Sequence, residues 1–178
     1  MKGRLQRMTA GVAIGGAGLL LLGVVCFAIG ARVNTTRSIP VGLYWTSSQP
    51  VHKGVDVLFC PPQVGVLAVA KQRGYIGAGF CPGGYGYMMK RVVAVQNDVV
   101  AVTPDGVLVN GELLPQSRPL KVDQAGRLLT SYPVGSFTLG STEVLLMSSE
   151  SRTSFDGRYF GPVPRAQISA VILPILTW

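Results

Sequence analysis

The stretch VVAVTPDGVLVNGELL, Val99 to Leu114, decides the fold class. Three short runs of mainly β-branched and aliphatic residues are separated by PDG at 104–106 and by NG at 110–111. Asp-Gly and Asn-Gly pairs favour tight hairpin turns, because these residues tolerate the positive φ angles that such turns require. The stretch therefore predicts three consecutive antiparallel strands, a β-meander.

Further strands are predicted on both sides of the meander. GVDVLFC (54–60) and YMMKRVVAVQ (87–96) precede it, and FTLGSTEVLLMSS (137–149) and QISAVILPIL (167–176) each supply one strand after it. QVGVLAVAKQR (63–73) predicts a short helix that prolines open and a glycine closes. No internal repeat or linker interrupts the series. We therefore expect one mostly β domain with at most short helices.

An apolar run from Thr9 to Ala31 precedes this domain and predicts a transmembrane helix. The run has no ionisable side chain except the thiol of Cys26. At about 1.5 Å per residue, a helix of this length crosses the ~30 Å hydrocarbon core of a bilayer. A cleaved signal peptide is the rival reading, since Ala28 and Gly30 are small. The apolar core nevertheless exceeds the usual signal-peptide core of about 7 to 15 residues, which favours an uncleaved anchor.

The charges before the apolar run predict its orientation. Lys2, Arg4 and Arg7 lie there, and positive residues beside a membrane span stay on the cytoplasmic side. We therefore expect a cytoplasmic tail at residues 1–8 and an extracytoplasmic domain at residues 32–178, anchored once in a membrane. The lipid bilayer is thus one expected partner.

The net charge of +8 over 178 residues, and its distribution, limit the classes of binding partner to expect besides the bilayer. Beyond the N-terminal tail, Lys and Arg are scattered without a basic run, which argues against nucleic-acid binding. Few charges and a hydrophobic content of 48% exclude a disordered chain. The charge is compatible with an acidic partner or anionic lipid, but it favours an ordinary solvated surface.

Two cysteines, Cys60 and Cys81, lie in the exported part, and each is followed by proline. In an oxidising compartment, a disulfide closing a loop of this size would stabilise the fold by roughly 3 kcal/mol. Two buried free thiols are the alternative, because the sequence gives no test of the bond geometry.

His52 is the only histidine, and it restricts the available chemistry. A Ser-His-Asp triad or a Cys-His pair would have to use this residue, yet it stands in the polar turn PVHKG (50–54). The sequence has no second histidine and no Cys/His cluster with metal-ligand spacing. We therefore expect neither a metal nor a cofactor.

A serine can instead be activated by a neutral lysine. Free lysine has a pKa of about 10.4, so a catalytic lysine must be withdrawn from water, which lowers its pKa. Lys90 fits this requirement, since Met88 and Val92 lie on the same face of its predicted strand. Arg91 points to the opposite face. On composition alone, a sheet-edge lysine that keeps its amine in water is the commoner arrangement.

Four short boxes resemble, in order and character, those of the type I signal peptidases, which are membrane-anchored Ser/Lys endopeptidases. The boxes are TTRSIPVGLYW (35–45), GYMMKRVVAV (86–95), GVLVNGELL (106–114) and SFDGRYFGPV (154–163). Each box is short, but four in register behind an anchor make a specific pattern. The resemblance implies a signal-peptidase-like β domain behind one transmembrane helix, anchored in the bacterial inner membrane with residues 32–178 in the periplasm.

The resemblance also implies roles for individual residues. Ser38 would be the nucleophile, Lys90 its general base, and Asp156 a third functional residue that shapes the site through an ion pair with Arg158. Thr36 stands two residues before the nucleophile, where signal peptidases carry a small hydroxyl residue. Its hydroxyl and the Ser38 N–H would stabilise the oxyanion, a contribution of roughly 3 kcal/mol. An extended linker is the alternative reading of Thr36.

One difference from the ordinary leader peptidases indicates which branch of the family the chain resembles. After their nucleophile come a methionine and, two residues further on, a proline, whereas here Ile39 and Pro40 follow Ser38 directly. With the small domain, this resembles the conjugative transfer peptidases of the family, and it implies a propilin substrate that is cleaved and closed head to tail. The alternatives are a general signal peptidase that hydrolyses exported precursors and a non-catalytic scaffold among the envelope proteins of a conjugation complex.

Overall fold

The computed structural model describes residues 2–178, with side chains from residue 11 onward, as two compact units divided after Arg32. The first unit is essentially one helix, α1 (Lys2–Ala28). Its segment Gly11–Ala28 is long and apolar enough to cross a membrane. The helix ends three residues before the predicted limit at Ala31, because Gly30 adopts a φ of 116° that a helix does not tolerate.

The second unit is built mainly from short β-strands. In chain order the elements after α1 are β1 (Ala31–Asn34), β2 (Gly42–Ser47), β3 (Asp56–Phe59), α2 (Gly65–Gln72), β4 (Ala78–Cys81), β5 (Met88–Ala94), β6 (Val99–Thr103), β7 (Gly106–Val109), β8 (Glu112–Leu113), β9 (Gly135–Thr138), β10 (Glu143–Met147), α3 (Gly157–Phe160), β11 (Val163–Pro164) and β12 (Ile168–Thr177). Short 3₁₀ turns occupy Pro82–Gly84 and Arg165–Gln167. The predicted mostly β fold is confirmed.

The strands form two sheets. The larger has the order β1-β2-β12-β3-β5-β10-β11, and the smaller has the order β8-β7-β6-β9. The predicted meander is present as β6, β7 and β8, with Val100 opposite Val109. The single strand predicted over 137–149 is wrong. The exposed turn at Gly140 divides this stretch into the end of β9 and the whole of β10, which belong to different sheets.

Hydrophobic side chains pack on both faces of the larger sheet. On one face, Phe59 and Val92 pack with α2 and α3. On the other face, Ile39, Tyr44 and Ile172 form a smaller cluster. Because Ile39 is fully buried, the residue that follows Ser38 fixes its turn to the sheet.

A disulfide joins Cys60 to Cys81, with the two Cα atoms 5.5 Å apart. It links the end of β3 to the end of β4 and closes the loop that contains α2. Cys26 in α1 remains a free thiol. The loop closed by the disulfide includes Tyr75, Ile76 and Gly77, so the cross-link limits the movement of a segment that reaches the site described next.

Candidate active site

Ser38 lies in the turn between β1 and β2, and this turn is held by the buried side chain of Asn34. The Asn34 amide nitrogen donates to the carbonyl oxygens of Thr36, Ile39 and Pro40 at 2.7, 2.9 and 3.0 Å. The hydroxyl of Tyr44, on β2, donates to the same Pro40 carbonyl at 2.6 Å. The backbone on both sides of Ser38 is therefore fixed by side chains from the flanking strands.

Lys90 lies on β5, where buried and half-buried residues alternate along the strand. It shares the buried face with Met88 and Val92, and its own side chain is only 2% exposed. Arg91 points to the opposite face and pairs with Asp56 through two hydrogen bonds of 2.9 and 3.0 Å. The period-2 pattern of the strand thus separates a buried amine from a half-exposed guanidinium.

The Lys90 amine meets two hydroxyls. Its Nζ lies 2.5 Å from the Ser38 Oγ and 2.7 Å from the Ser154 Oγ, and the two hydroxyl oxygens are 3.4 Å apart. Ser154 belongs to the segment before α3, so three distant parts of the chain converge on one nitrogen. A lysine amine at this distance is placed to take the proton of the Ser38 hydroxyl.

Burial lowers the pKa of Lys90 from 10.5 to about 8. The main cause is desolvation of the ammonium, and the positive charge of Arg158 acts in the same direction, whereas the negative charge of Asp156 opposes it. Hydroxyls alone are hydrogen-bonded to the amine in the described part of the chain, so it has no carboxylate that would lock it in the charged form. A neutral fraction suited to a general base therefore exists near pH 8.

Asp156 caps the N-terminus of α3 and is fully buried with Arg158. The Arg158 guanidinium donates to both carboxylate oxygens, at 2.7 and 2.9 Å, and the backbone N–H of Ser148 donates to one of them at 3.0 Å. Neither Ser38 nor Lys90 forms a hydrogen bond with Asp156 in the structure described. The ion pair therefore lies beside the Ser38–Lys90 pair and not within it.

Ser148 connects this ion pair to the nucleophile. Its backbone N–H binds Asp156, and its hydroxyl donates to the carbonyl oxygen of Ser38 at 2.8 Å. The N–H of Ser149 donates to the same carbonyl at 3.2 Å. Asp156 thus acts on Ser38 by holding the segment that anchors the Ser38 backbone.

Thr36 is exposed, and its hydroxyl lies 3.0 Å from the Oδ1 of Asn34. An amide oxygen is only an acceptor, so the Thr36 hydroxyl donates its proton there. The backbone N–H of Ser38 has no acceptor among the described residues. This N–H is free to bind an oxyanion, while Thr36 has to turn its hydroxyl away from Asn34 to do so.

A cavity of about 600 Å³ opens over the Ser38–Lys90 pair. Residues 33–38 form one wall, and Tyr87, Met88 and Met89 of the β5 region contribute to another. Tyr75, Ile76 and Gly77 also line the cavity. The glycine-rich segment at 74–87 thereby contributes to the lining of the cleft.

His52 takes no part in this cleft. It lies in an exposed turn, with its Nδ1 3.0 Å from the carbonyl oxygen of Lys53. Among the residues that the structure describes, no group of three or more His, Cys, Asp or Glu side chains is arranged to hold a metal ion.

The sequence also matches a known protein family. The family model described as signal peptidase, peptidase S26 matches residues 8–176. The chain belongs to the signal peptidase S26 family. Within the family it is similar to proteins of plasmid transfer. Two plasmid transfer proteins TraF of Escherichia coli are 67% and 63% identical over 98% of this chain, and the alignments cover 98% and 99% of those proteins.

More distant relatives have related names. The conjugal transfer protein TraF of Agrobacterium fabrum strain C58 is 32% identical over 93% of this chain and 94% of its own length. Among solved structures, a signal peptidase I from Enterococcus faecalis V583 aligns with a TM-score of 0.40 and 17% identity, over 71% of this chain and 100% of that chain.

The structure brings together Ser38 and Lys90, and it places Thr36 and Asp156 at the edges of their site. It also adds three residues that sequence reasoning missed: Asn34, Ser148 and Ser154. Ser154 opens the fourth box, two residues before Asp156, so its position in that box was an available signal. Asn34 and Ser148 act through hydrogen bonds to backbone atoms of the Ser38 turn, and no local sequence pattern marks such contacts.

Proposed function

We propose that the chain is a membrane-anchored serine endopeptidase that uses Ser38 as nucleophile and Lys90 as general base. Its substrate is a conjugative propilin, which it cleaves and closes head to tail for assembly of the conjugative pilus. The observation that carries the proposal is the 2.5 Å contact between the Lys90 Nζ and the Ser38 Oγ. Lys90 is 2% exposed and has no carboxylate partner among the described residues, which is the environment that a neutral lysine needs.

Acylation follows from this geometry. The neutral Lys90 amine accepts the Ser38 proton as the Oγ attacks the scissile carbonyl carbon. The carbonyl oxygen becomes an oxyanion, for which the Ser38 N–H and a rotated Thr36 hydroxyl are donors. When the intermediate collapses, the peptide C–N bond breaks and the Lys90 ammonium gives its proton to the leaving amine. Ser154 keeps the amine directed at Ser38 through its 2.7 Å contact.

Deacylation completes the cycle without a change of residues. The N-terminal amine of the same pilin attacks the Ser38 ester, and Lys90 accepts a proton from the attacking nitrogen. A new peptide bond forms, the ester bond breaks, and Lys90 returns a proton to the Ser38 Oγ. No water is consumed, so the cyclic product is one water lighter than the linear cleaved chain.

The substrate and location rest on different support. The relatives are called plasmid and conjugal transfer proteins, which favours a substrate from the conjugation apparatus. The apolar segment Gly11–Ala28 is long enough for a membrane anchor. With Lys2, Arg4 and Arg7 before it, the catalytic domain lies in the periplasm, beside the bilayer and other envelope proteins of the conjugation complex.

The dyad is tested by co-expressing a propilin with Lys90→Arg, Lys90→Ala and Ser38→Ala. Arginine preserves the charge but cannot deprotonate in proteins, so all three variants should lose processing by about a thousandfold or more. The double variant Ser38→Ala/Lys90→Ala should process the propilin no more slowly than either single variant, because the effects of substitutions within one catalytic unit are not additive. Lys121→Arg, at an exposed lysine, is the matched control.

Mass spectrometry of the propilin decides among the remaining functions. A cyclic product one water lighter than the linear chain supports the proposal, whereas a linear product with efficient cleavage of other exported precursors indicates a general signal peptidase. A serine-directed acylating inhibitor should label the wild type and not Ser38→Ala. Absence of labelling would favour a non-catalytic scaffold.

A further inference from the structure

A second cavity, of about 490 Å³, adjoins the active-site cleft. Four residues line both spaces: Tyr75, Gln124, Thr153 and Phe155. The two spaces are therefore adjacent, and the second cavity lies next to the cleft that holds the catalytic residues.

The acidic residue of this second cavity, Asp123, already has hydrogen-bond donors and an ion-pair partner within the protein. The Asp123 carboxylate accepts hydrogen bonds from the Tyr75 hydroxyl, from the Arg127 Nε at 2.6 Å, and from the backbone N–H groups of Arg127 and Ala125 at 2.8 and 2.9 Å. These donors, the Tyr75 hydroxyl above all, hold the pKa of Asp123 below its usual range. Asp123 therefore organises the wall and offers no free charge to a ligand cation.

The positive charge of Arg73 has no such counterpart. Arg73 follows α2, and its Nη1 donates to the carbonyl oxygen of Leu128 at 2.7 Å. Its Nε and Nη2 have no hydrogen-bond partner among the described residues, and no carboxylate in that part of the chain pairs with it. One guanidinium in the lining thus keeps donors and a full charge available.

Tyr159 adds a second donor at the same cavity. The residue is 4% exposed, and its hydroxyl oxygen accepts a hydrogen bond from the Leu120 N–H at 3.0 Å. Burial raises the pKa of Tyr159, so the hydroxyl keeps its proton. No acceptor for that proton is found in the structure described. Leu120 and Tyr159 both line the cavity, which places this donor at its wall.

We propose that the second cavity binds a carboxylate of the substrate peptide, with the Arg73 guanidinium and the Tyr159 hydroxyl as its donors. The inference rests on the proposed peptidase function. A guanidinium presents its N–H groups in a fork that matches a carboxylate, and the apolar walls at Leu120, Leu129 and Phe155 strengthen the attraction by excluding water. The carboxylate comes from an acidic side chain near the scissile bond or from the C-terminus of the precursor.

The experiment measures kcat and KM for a purified propilin and the full-length protein in detergent micelles. Two altered propilins distinguish the sources of the carboxylate. In one, the acidic residues beside the cleavage site become amides, and in the other, three added glycines displace the C-terminal carboxylate. The enzyme variants are Arg73→Gln, Arg73→Lys and, as a matched loss of an exposed arginine, Arg118→Gln.

For the wild type, the propilin that lacks the bound carboxylate should show a KM raised about tenfold with kcat retained, as expected for loss of one charge-assisted hydrogen bond. Arg73→Gln should raise the KM of the natural propilin about equally, with no further increase for the altered propilin. Arg73→Lys keeps the charge but not the fork and should recover only part of the loss, and Arg118→Gln should match the wild type.

Two results would overturn the inference while the proposed function stands. One is an Arg73→Gln enzyme that processes the natural propilin with unchanged KM. The other is an Arg73→Gln enzyme whose KM exceeds that of the wild-type enzyme by the same factor for the natural propilin and for both altered propilins. That result would show a structural defect and not the loss of a carboxylate contact. If wild-type protein leaves the propilin uncleaved and Ser38 unlabelled by an acylating inhibitor, the proposed function fails, and the inference fails with it.

Discussion

Two buried basic side chains, Lys90 and Arg158, lie in the same domain but have opposite surroundings. Arg158 is fully buried and donates to both oxygens of the Asp156 carboxylate. Lys90 is 2% exposed, and among the described residues its amine forms hydrogen bonds with the hydroxyls of Ser38 and Ser154 alone. The guanidinium is thus given a counter-ion, and the amine is not.

The difference fits the role that we propose for each group. A buried charge without a partner is costly, so burial among hydroxyls lowers the pKa of a lysine and makes the amine easier to deprotonate, as a base requires. Arginine does not deprotonate, so its burial demands the carboxylate. The ion pair stabilises the framework around Ser148, while the unpaired amine is left for chemistry.

The largest effect on stability is expected from breaking the ion pair. Asp156→Asn leaves the buried Arg158 without a counter-charge, and removal of one partner of such a pair typically destabilises by about 3–5 kcal/mol. Denaturant unfolding should show this loss in the free energy of unfolding, with Asp105→Asn, in an exposed turn, as the control.

The same variant should retain more processing activity than Lys90→Arg at a temperature where it remains folded, because Asp156 forms no hydrogen bond with Ser38 or Lys90 in the structure described. If Asp156→Asn lowers the free energy of unfolding by less than about 1 kcal/mol, the result would contradict a structural role for the ion pair.

Replacing Lys90, which removes the unpaired amine, should stabilise the protein, whereas breaking the ion pair should destabilise it. The pKa of Lys90 is about 8 in the fold against an ordinary 10.5, so the charged form is disfavoured by folding. Below pH 8 this penalty is present in full, it shrinks as the pH rises from 8 to 10.5, and it vanishes above. Lys90→Met should therefore raise the free energy of unfolding by up to about 3 kcal/mol at pH 7 and by much less at pH 10.

Lys121→Met, at an exposed lysine, should show no such pH dependence. Denaturant unfolding at the two pH values gives the comparison. If Lys90→Met destabilises the protein equally at both, Lys90 is a structural contact and not a strained, unpaired base.

A smaller effect is expected from the second hydroxyl. Ser154→Ala removes one of the two hydrogen-bond partners of the Lys90 amine and lets it turn away from Ser38. We expect kcat for propilin processing to fall about tenfold with KM unchanged, as for loss of one hydrogen bond. Ser151→Ala, which alters the same cleft without touching the amine, should leave kcat unchanged. A rise in KM alone would assign Ser154 to substrate binding.

The sequence predicted the parts of this account that depend on local pattern. The alternation around Lys90 placed Met88 and Val92 on its face and Arg91 on the other, as the structure has them. The turn pairs predicted the meander, and the short helix lies within its predicted limits. The boxes singled out Ser38 and Lys90, although the sequence did not give their distance.

The rest depends on contacts between distant parts of the chain. β2 was missed because GLYWTS does not alternate between apolar and polar residues, and the long partner β12 determines that it is a strand. Gly42 is required there because a Cβ would lie 2.2 Å from the Leu176 carbonyl oxygen. Likewise, the link from Ser148 to Ser38 spans 110 residues, which no local pattern predicts.

The most direct test of the central claim is the pH dependence of Ser38 acylation in a single turnover. The full-length protein in detergent micelles is mixed with a serine-directed acylating inhibitor, and the labelling rate is followed from pH 6 to 10. If Lys90 is a neutral base, the rate should rise with pH through an apparent pKa near 8, and Lys90→Ala should remove this rise. A wild-type rate that does not change with pH, or that keeps the same midpoint in Lys90→Ala, would contradict the Ser38–Lys90 mechanism.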